Sequence, residues 1–382
     1  MESETVGFQV FAKPAGADCN LGCQYCYYLK NRKIYPGENP RRMSDEILEA
    51  YIRQHIGATN ETDIFFSWHG GEPTLAGIGF FQKVVELQQR YKPDGRNIFN
   101  GIQTNGTLLN EAWCRFFLHH HFTVGISMDG PPPLHDQFRL TRNGQPTNSH
   151  VMAGYKLLAE HGIPCEILCV VNAINVNFPL EIYRYFKSIG ARFITFLPLV
   201  EKNSEEPGLA SPVSVPPLAF GNFLSAIFDE WADRDIGKIT IQIFEEALRT
   251  SFGQDHSLCI FRESCGRVPA LELNGDFYSC DHFISQPYLI GNIMDIPLSE
   301  MLESRKQMDF GNSKYITLPE YCLNCHVREM CNGECPRNRF CQTPDGQPGL
   351  NYLCDGYKLF FSHFKPFADQ VAELWKSGQF RT

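Results

Sequence analysis

Positive charge is in short supply in this sequence. Lys and Arg number 34 against 43 Asp and Glu, which gives a formal net charge of −9 at pH 7. Because proteins that bind nucleic acids usually present a basic surface, this balance argues against a nucleic-acid partner. The sequence also lacks a repeat of solenoid period and any low-complexity tract. Its hydrophobic content of 43% is enough to bury a sizeable core.

Long hydrophobic runs are missing as well. No uninterrupted apolar stretch approaches the roughly 20 residues that a membrane-spanning helix needs. The first residues, Met-Glu-Ser-Glu, contain neither the basic nor the apolar segment of a secretory signal peptide. We therefore expect a cytoplasmic protein with no membrane partner. Its 382 residues suffice for one large or two ordinary domains.

Cysteine, in contrast, is abundant, with 15 residues. A chain without a leader is expected in a reducing compartment, where disulfides are disfavoured. A scattered cysteine usually acts as a small buried hydrophobe, but most of these are grouped along the sequence, and grouping favours metal binding. The four that lie outside the groups are interpreted as core residues: Cys114, Cys165, Cys169 and Cys341.

The first 200 residues alternate between predicted strands and amphipathic helices. Such alternation predicts an α/β fold with a parallel sheet, which is either open and doubly wound or a partial barrel, because periodicity alone does not choose between them. Ser44 and Asn110 are predicted to be helix N-caps. The six predicted strands are residues 8–13, 63–68, 97–103, 123–128, 165–171 and 192–199.

The pattern changes after about residue 200. Residues 201–217 predict a loop rich in Ser, Pro and Glu, and residues 219–232 predict a helix. Residues 271–280 predict a hairpin with a type I′ turn at Asn274-Gly275. We predict two domains, residues 1–235 and 236–382, and expect metal ligands and a C-terminal helix to stabilise the Cys-rich second domain.

Three cysteines stand close together in the pattern Cys19-x3-Cys23-x2-Cys26. A 4Fe–4S cubane needs one ligand for each iron, so three thiolates leave one iron open. The amino and carboxylate groups of S-adenosylmethionine can chelate that iron, and electron transfer from the reduced cluster then produces the 5′-deoxyadenosyl radical. Zinc is the structural rival, but it usually takes four ligands in a closed tetrahedron.

This spacing, with Tyr25 immediately before the third cysteine, resembles the radical S-adenosylmethionine superfamily. The resemblance implies a partial (β/α)6 barrel whose loops after the strands bind the cofactor. Taken alone, the pair Gly70-Gly71 would be an ordinary turn, and Arg139 would be a solvated surface residue. The cofactor contacts that the resemblance implies are Tyr25, Gly70, Gly71, Glu72, Asn105, Ser127, Arg139 and Leu197.

Eight more cysteines lie between residues 259 and 354. Their close-spaced groups resemble the SPASM domain of peptide-modifying radical enzymes, which implies two auxiliary 4Fe–4S clusters. Two structural zinc sites fit the count of eight equally well, although a radical cluster in the same chain favours iron–sulfur. The implied ligands are Cys259, Cys265, Cys280 and Cys335 for the first auxiliary cluster, and Cys322, Cys325, Cys331 and Cys354 for the second.

Over nearly its whole length, the sequence most resembles the anaerobic sulfatase-maturating enzymes. Members of that family oxidise a Cys or Ser in a Cys/Ser-x-Pro/Ala-x-Arg motif of a sulfatase polypeptide to Cα-formylglycine (3-oxoalanine). His69 departs from the Gln found at that position in some members. The matching stretches are residues 68–77, 103–108, 124–131, 331–336 and 351–354.

The resemblance also implies a catalytic base, Asp281, which directly follows Cys280. An arbitrary Asp is more often a surface or turn residue, and His282 is a rival because imidazole titrates near neutrality. We favour Asp281, since neighbouring side chains on an extended segment point to opposite sides. The implied cofactors are three 4Fe–4S clusters and S-adenosylmethionine. We expect a monomer that takes electrons from a flavodoxin or ferredoxin.

Two other functions fit parts of the sequence. A SPASM enzyme that crosslinks or epimerises a ribosomally made peptide is one, but many such enzymes carry an N-terminal peptide-binding extension, whereas here the radical motif begins at Cys19. A non-catalytic iron–sulfur or zinc protein is the other. It would have no use for an open three-ligand cluster, and a test for cleavage of S-adenosylmethionine would separate it.

Overall fold

The computed structural model describes residues 7–34, 42–206 and 208–378. The initial Met-Glu-Ser-Glu and Pro207, which enter the sequence predictions, lie outside these residues. The described residues group into two compact units. The first contains the residues up to 127, with 136–165 and 266–311, and the second contains 128–135, 166–265 and the residues from 312 onwards. The domain boundary between residues 235 and 236 stays a prediction.

Short strands and longer helices alternate along the chain. The strands are β1 (Phe11–Ala12), β2 (Asp63–Trp68), β3 (Asn97–Thr104), β4 (Phe122–Ser127), β5 (Cys165–Val171), β6 (Phe193–Pro198), β7 (Thr240–Ile241), β8 (Ala270–Leu271), β9 (Asp276–Tyr278), β10 (Leu289–Asn292), β11 (Cys341–Gln342) and β12 (Pro348–Leu350). The α-helices are α1 (Asp45–Gly57), α2 (Ile78–Tyr91), α3 (Glu111–His119), α4 (Pro132–His135), α5 (Asn148–Glu160), α6 (Pro179–Ser188), α7 (Pro217–Arg234), α8 (Gln242–Ser251), α9 (Leu298–Leu302), α10 (Arg305–Ile316), α11 (Glu320–Leu323), α12 (Arg328–Cys331) and α13 (Cys354–Lys376). None of these described helices is both long and apolar enough to cross a bilayer.

The sheet of the first unit combines the start of the chain with strands from far along it. Its order is β10-β9-β8-β1-β2-β3-β4. β1 pairs in parallel with both β2 and β8, whereas β8, β9 and β10 pair antiparallel. In the second unit, β5, β6 and β7 form parallel pairs, and β11 with β12 forms a separate hairpin. The predicted parallel sheet is therefore confirmed.

The six predicted strands are all present, and β2 and β5 have the predicted bounds. β1 is shorter than predicted, with two residues in place of six. The amides of Gln9, Phe11 and Lys13 nevertheless donate to the carbonyls of residues 267, 269 and 271, so the flanking backbone remains paired. The predicted N-caps are also confirmed, because Ser44 accepts from Ile47 N and Asn110 accepts from the amides of residues 112 and 113.

The hairpin at residues 271–280 is present, but its turn differs from the predicted one. Leu271 pairs with Phe277, which makes the connection longer than two residues. Gly275 has φ +88°, but φ of Asn274 is not positive. A type I′ turn needs positive φ at both of its central residues. The type I′ prediction was wrong. The geometry is a tight turn that ends in a left-handed glycine.

Each unit has its own apolar core. In the first unit, Trp68 is fully buried and its indole nitrogen donates to Asn100 Oδ1 at 2.9 Å. In the second unit, α7 packs closely on α13, since a Cβ at Gly221 would lie 2.5 Å from Gly356 O. Cys114 and Cys169 are fully buried, as predicted for core residues. Cys165 is half-buried but packs against the core of the first unit, in agreement with the core interpretation. Cys341 is half-buried on β11, and its core role stays a prediction.

Candidate functional site

Cys19, Cys23 and Cys26 lie on the loop that follows β1. Main-chain hydrogen bonds fix this loop, since Gly22 N donates to Leu140 O and Gln24 N donates to Phe138 O, each at 2.9 Å. Burial raises the pKa of the Cys19 thiol to about 12. A thiolate in such a place needs a positive counter-charge, and metal binding supplies it. The buried Cys19 thiol, on a loop that also carries Cys23 and Cys26, therefore suits a metal ligand.

Asn105 connects the Cys19 side chain to the end of β3. Its Nδ2 lies 3.6 Å from Cys19 Sγ and donates to Asn20 Oδ1 at 2.9 Å. Thr107 Oγ1 in turn donates to Asn105 Oδ1 at 2.8 Å. An amide that points at a ligand sulfur stabilises its negative charge. Asn105 thus lies beside a predicted cluster ligand, while its predicted contact with S-adenosylmethionine stays a prediction.

The glycines after β2 pack against the cysteine loop itself. Gly71 N donates to Gly16 O at 2.8 Å, and a Cβ at Gly71 would lie 2.0 Å from Asp18 O. Gly70 has φ +117°, a conformation that favours glycine. The sequence prediction explained the glycines by close approach to a ligand. The described contacts add a second reason, which is that only glycine fits beside the backbone next to Cys19.

Glu72 is a buried carboxylate that ties together the ends of two strands. It accepts hydrogen bonds from Thr74 N at 3.0 Å, Thr104 Oγ1 at 2.7 Å and Asn105 N at 2.7 Å. Burial raises its pKa, and these donors oppose the shift. Its own amide donates to Asp18 O at 2.7 Å, which joins it to the cysteine loop as well. A direct contact between Glu72 and the cofactor stays a prediction.

The remaining predicted cofactor contacts occupy different parts of the chain. The Arg139 guanidinium lies 5.5 Å from the centre of the Tyr25 ring, and Arg139 is buried, so it is not a solvated surface residue. Ser127 accepts from Gln103 Nε2 at 3.0 Å at the end of β4. Leu197 is half-buried on β6 of the second unit. The structure thus brings Tyr25 and Arg139 together as one predicted subsite of the first unit.

Asp281 belongs to a buried polar group of the first unit. Lys13 forms an ion pair with Asp281 Oδ1, and the Tyr27 hydroxyl donates to Oδ2 at 2.8 Å. Burial alone would raise the pKa of Asp281, but the Lys13 ammonium and the His282 ring outweigh it and hold that pKa well below its usual range. The side chain is therefore a carboxylate near neutral pH, and it can accept hydrogen bonds only.

Burial, and not alternation along an extended segment, distinguishes Asp281 from His282. Residues 281 and 282 lie in a turn, with Phe283 N bonded to Cys280 O, so the predicted extended segment is not present there. The His282 ring also packs edge-on against Tyr27. What separates the two candidates is burial, because Asp281 is 8% exposed and His282 is an exposed side chain.

Lys13 and Tyr27 are functional candidates that the sequence analysis missed. Lys13 is 2% exposed, and its ammonium also lies 4.9 Å from the centre of the Tyr28 ring. His69 stacks on Phe11, two positions before Lys13, and burial lowers the pKa of His69 to about 3. The sequence shows Lys13 beside an apolar strand and Tyr27 directly after Cys26. It does not show that both side chains bond to Asp281, which lies more than half the chain away.

Four of the C-terminal cysteines face one pocket of the second unit. Burial raises the pKa of both Cys331 and Cys354 to about 12. Among the described residues, no group of three or more His, Cys, Asp or Glu is arranged to hold a single metal ion. Four cysteines that line one pocket fit a cluster of several irons. The thiols that line this pocket belong to Cys322, Cys325, Cys331 and Cys354.

The other four C-terminal cysteines divide between the units. Cys280 lies after β9 in the first unit, and Cys259, Cys265 and Cys335 lie in the second. Burial raises the pKa of Cys259, Cys265 and Cys335, and it raises that of Cys259 to about 11. These buried thiols also suit metal ligation, and the predicted sharing of one cluster stays a prediction.

Comparison with known proteins gives two family matches. Residues 14–179 match the radical SAM superfamily, and residues 259–326 match an iron–sulfur cluster-binding domain named SPASM. Both matches include predicted ligands, since the first contains the three cysteines of residues 19–26 and the second contains five of the C-terminal cysteines, Cys259 to Cys325. The predicted order of a radical SAM domain followed by a SPASM domain is confirmed.

Named relatives span almost the entire chain. A serine-type anaerobic sulfatase-maturating enzyme of Bacteroides thetaiotaomicron is 44% identical over 374 residues, which is 94% of this chain and 90% of the relative. A cysteine-type enzyme of Clostridium perfringens is 34% identical over 94% of this chain and 97% of the relative. The solved structure of native anSMEcpe with bound AdoMet has a TM-score of 0.86 at 32% identity, covering 96% of this chain and 99% of that one.

Proposed function

Because the chain belongs to the anaerobic sulfatase-maturating enzymes of the radical SAM superfamily, we propose that it oxidises a sulfatase Ser or Cys to Cα-formylglycine. The observation that carries this proposal is the buried Lys13–Asp281–Tyr27 group. Tyr27 is adjacent to Cys26 and Asp281 is adjacent to Cys280, so a carboxylate is tied to two predicted cluster ligands. The substrate is a peptide segment with a Cys/Ser-x-Pro/Ala-x-Arg motif. A native anSMEcpe structure with AdoMet and a Cp18Cys peptide supports a peptide substrate.

The oxidation removes two electrons from the substrate side chain. For Ser, the Cβ loses one hydrogen atom and the hydroxyl loses one proton, and the remaining electron leaves, which converts the C–O single bond into a carbonyl. A Cys substrate gives a thioaldehyde, whose hydrolysis releases hydrogen sulfide. When bound, the metal clusters and S-adenosylmethionine supply the 5′-deoxyadenosyl radical that takes the hydrogen atom and an acceptor for the remaining electron.

Asp281 is the proposed acceptor of the substrate proton. It is held in one orientation by Lys13 and Tyr27, and its low pKa keeps it ionised. Such a carboxylate is a weak base toward an ordinary alcohol. Loss of the Cβ hydrogen makes the neighbouring hydroxyl proton much more acidic, so a weak base in a fixed position suffices for the transfer.

The proposed cofactors are S-adenosylmethionine and three 4Fe–4S clusters. Cys19, Cys23 and Cys26 hold the first, and the eight C-terminal cysteines hold two auxiliary clusters in the predicted sets. The proposed cofactor contacts are those predicted from the sequence, among which Tyr25 and Arg139 are neighbours. We also propose a monomer that takes electrons from a flavodoxin or ferredoxin. The proposed location is the cytoplasm, because reduced thiols require a reducing compartment.

The test is anaerobic incubation of the holoenzyme with S-adenosylmethionine, a reductant and a synthetic peptide. One peptide carries a Ser-x-Ala-x-Arg core and the other a Cys-x-Pro-x-Arg core. We expect 5′-deoxyadenosine and a peptide mass change equal to aldehyde formation, read by mass spectrometry. The Ser peptide is tested first, because the serine-type relative is the more similar of the two described. A crosslinked or epimerised product would instead support the peptide-modifying alternative.

The auxiliary clusters are tested with two half-buried cysteines of the second unit. Cys354 lines the pocket of thiols, whereas Cys341 lies on β11. Cys354→Ala should remove about four irons per chain and lower the yield of soluble protein, because each cubane holds four irons and ligand bonds support folding. The matched control, Cys341→Ala, should keep the full iron content. Equal iron in both variants would contradict the second auxiliary cluster.

A further inference from the structure

Lys314 is a fully buried cation of the second unit. Its ammonium donates to the backbone carbonyls of Cys259 and Ile260 at 2.9 and 2.7 Å. Within the described residues, no carboxylate oxygen lies within 4.0 Å of it. Burying an ammonium without a counter-charge is unfavourable. Glu334 is an acidic neighbour that does not contact the ammonium, so a further negative group nearby would stabilise the charged form of Lys314.

A second cation, Arg339, lies directly beside Lys314. Its guanidinium donates to the backbone carbonyls of Lys314, Asn332 and Gly333. No described carboxylate forms an ion pair with this side chain either. The buried carboxylate of Glu334 accepts instead from two amide side chains, those of Asn338 and Asn351. The second unit thus places two cations together and satisfies both with neutral carbonyl oxygens.

Both cations bond to backbone beside proposed cluster ligands. Lys314 donates to the carbonyl of Cys259 itself, and Arg339 donates to the carbonyls of Asn332 and Gly333, which lie between Cys331 and Cys335 in the sequence. A cubane with thiolate ligands carries net negative charge and gains one more negative charge on reduction. Fixed positive charge nearby stabilises the reduced form more than the oxidised form, which raises the reduction potential.

We propose that Lys314 and Arg339 raise the reduction potential of the auxiliary cluster whose proposed ligands include Cys259, Cys265 and Cys335. The two cations make that cluster a better acceptor of the electron that leaves the substrate. This inference rests on the proposed function, in which an auxiliary cluster accepts that electron. Lys314 and Arg339 are positioning residues. Their positive charges act on the cluster from nearby, and neither side chain is a proposed ligand.

The test is an anaerobic redox titration of the holoenzyme, monitored by electron paramagnetic resonance. Lys314→Gln keeps an N–H donor for the two carbonyls but removes the charge. It should make reduction of one auxiliary cluster at least about tenfold less favourable, a shift of about 59 mV for one electron. Lys314→Arg retains the charge and should stay near the wild-type potential. Lys83→Gln is the matched control for charge loss, because Lys83 lies on α2 of the first unit and pairs with Glu86. This variant should leave the reduction potentials of the auxiliary clusters unchanged.

The outcomes separate this inference from the proposed function. An unchanged potential in a fully iron-loaded Lys314→Gln enzyme overturns the inference and leaves the proposed function intact. A wild-type enzyme without auxiliary iron overturns the proposed clusters themselves. If Lys314→Gln does not load iron, Arg339→Gln repeats the test with the second cation. If neither neutral variant loads iron, loading by Lys314→Arg and Arg339→Lys supports the charge requirement, and failure of both overturns it.

Discussion

Asp281→Asn should lower formylglycine formation by on the order of 100-fold or more, the usual contribution of a positioned general base. Asparagine keeps the shape of the side chain and can still accept from Tyr27, but it cannot take a proton. The radical and electron-transfer groups are untouched by this change. We therefore expect full iron content and continued, uncoupled cleavage of S-adenosylmethionine. Single-turnover assays that quantify 5′-deoxyadenosine and aldehyde separately provide the measurement.

His282→Gln is the matched control for this prediction, because it changes the adjacent residue of the same turn. His282 is exposed and packs against the same tyrosine, so its loss should change formylglycine formation little. Wild-type yield from Asp281→Asn together with an inactive His282→Gln would transfer the base role to His282. Loss of iron from Asp281→Asn would point to a structural role beside Cys280.

The pH dependence of this step follows from the ion pair. The folded-state pKa of Asp281 is depressed, so the stability contributed by its ionised form is present above the ordinary Asp pKa and is lost as pH falls through the folded value. Near neutral pH the carboxylate remains ionised, and the activity profile between pH 6 and 8 should therefore show no step from this group.

Local signals made part of the fold predictable. β2 and β5 have the predicted bounds because an apolar run bounded by turn residues specifies a buried strand without help from distant residues. Ser44 and Asn110 were predictable for the same reason, since a cap acts on the next three residues. The turn at Asn274-Gly275 was not, because one dipeptide fits several turn types and the cross-strand pairing of Leu271 with Phe277 selects among them.

Long-range pairings were beyond the sequence. β8 extends the sheet beside β1, although residues 13–269 separate the two strands in the sequence. That pairing joins residues 9–13 to residues 267–271. Lys13 ends the first segment, and Asp281 follows the second segment and the hairpin strand β9. Their ion pair therefore depends on a strand register that no local pattern encodes. The first three cysteines, in contrast, could be proposed as ligands from the sequence, because the proposal depends on their spacing within the short segment of residues 19–26.

Replacing Cys19, Cys23 and Cys26 together by Ala should abolish cleavage of S-adenosylmethionine. The loop has main-chain bonds of its own to residues 138 and 140, so it should keep its fold without the thiols. Iron should fall from about twelve to about eight per chain, because only one cubane is lost. Iron analysis, spectroscopy of the remaining clusters and an assay for 5′-deoxyadenosine provide the measurements.

The control for this triple variant is Cys114→Ala, which removes a fully buried thiol on α3 that lies outside every proposed ligand set. It should retain about twelve irons and normal cleavage, with at most a small loss of stability from the cavity. Continued production of 5′-deoxyadenosine by the triple variant would show that another site generates the radical. Loss of all iron would mean that the auxiliary clusters depend on the first loop. Only selective loss, with about eight irons and no cleavage, agrees with an open three-cysteine cluster in the first unit.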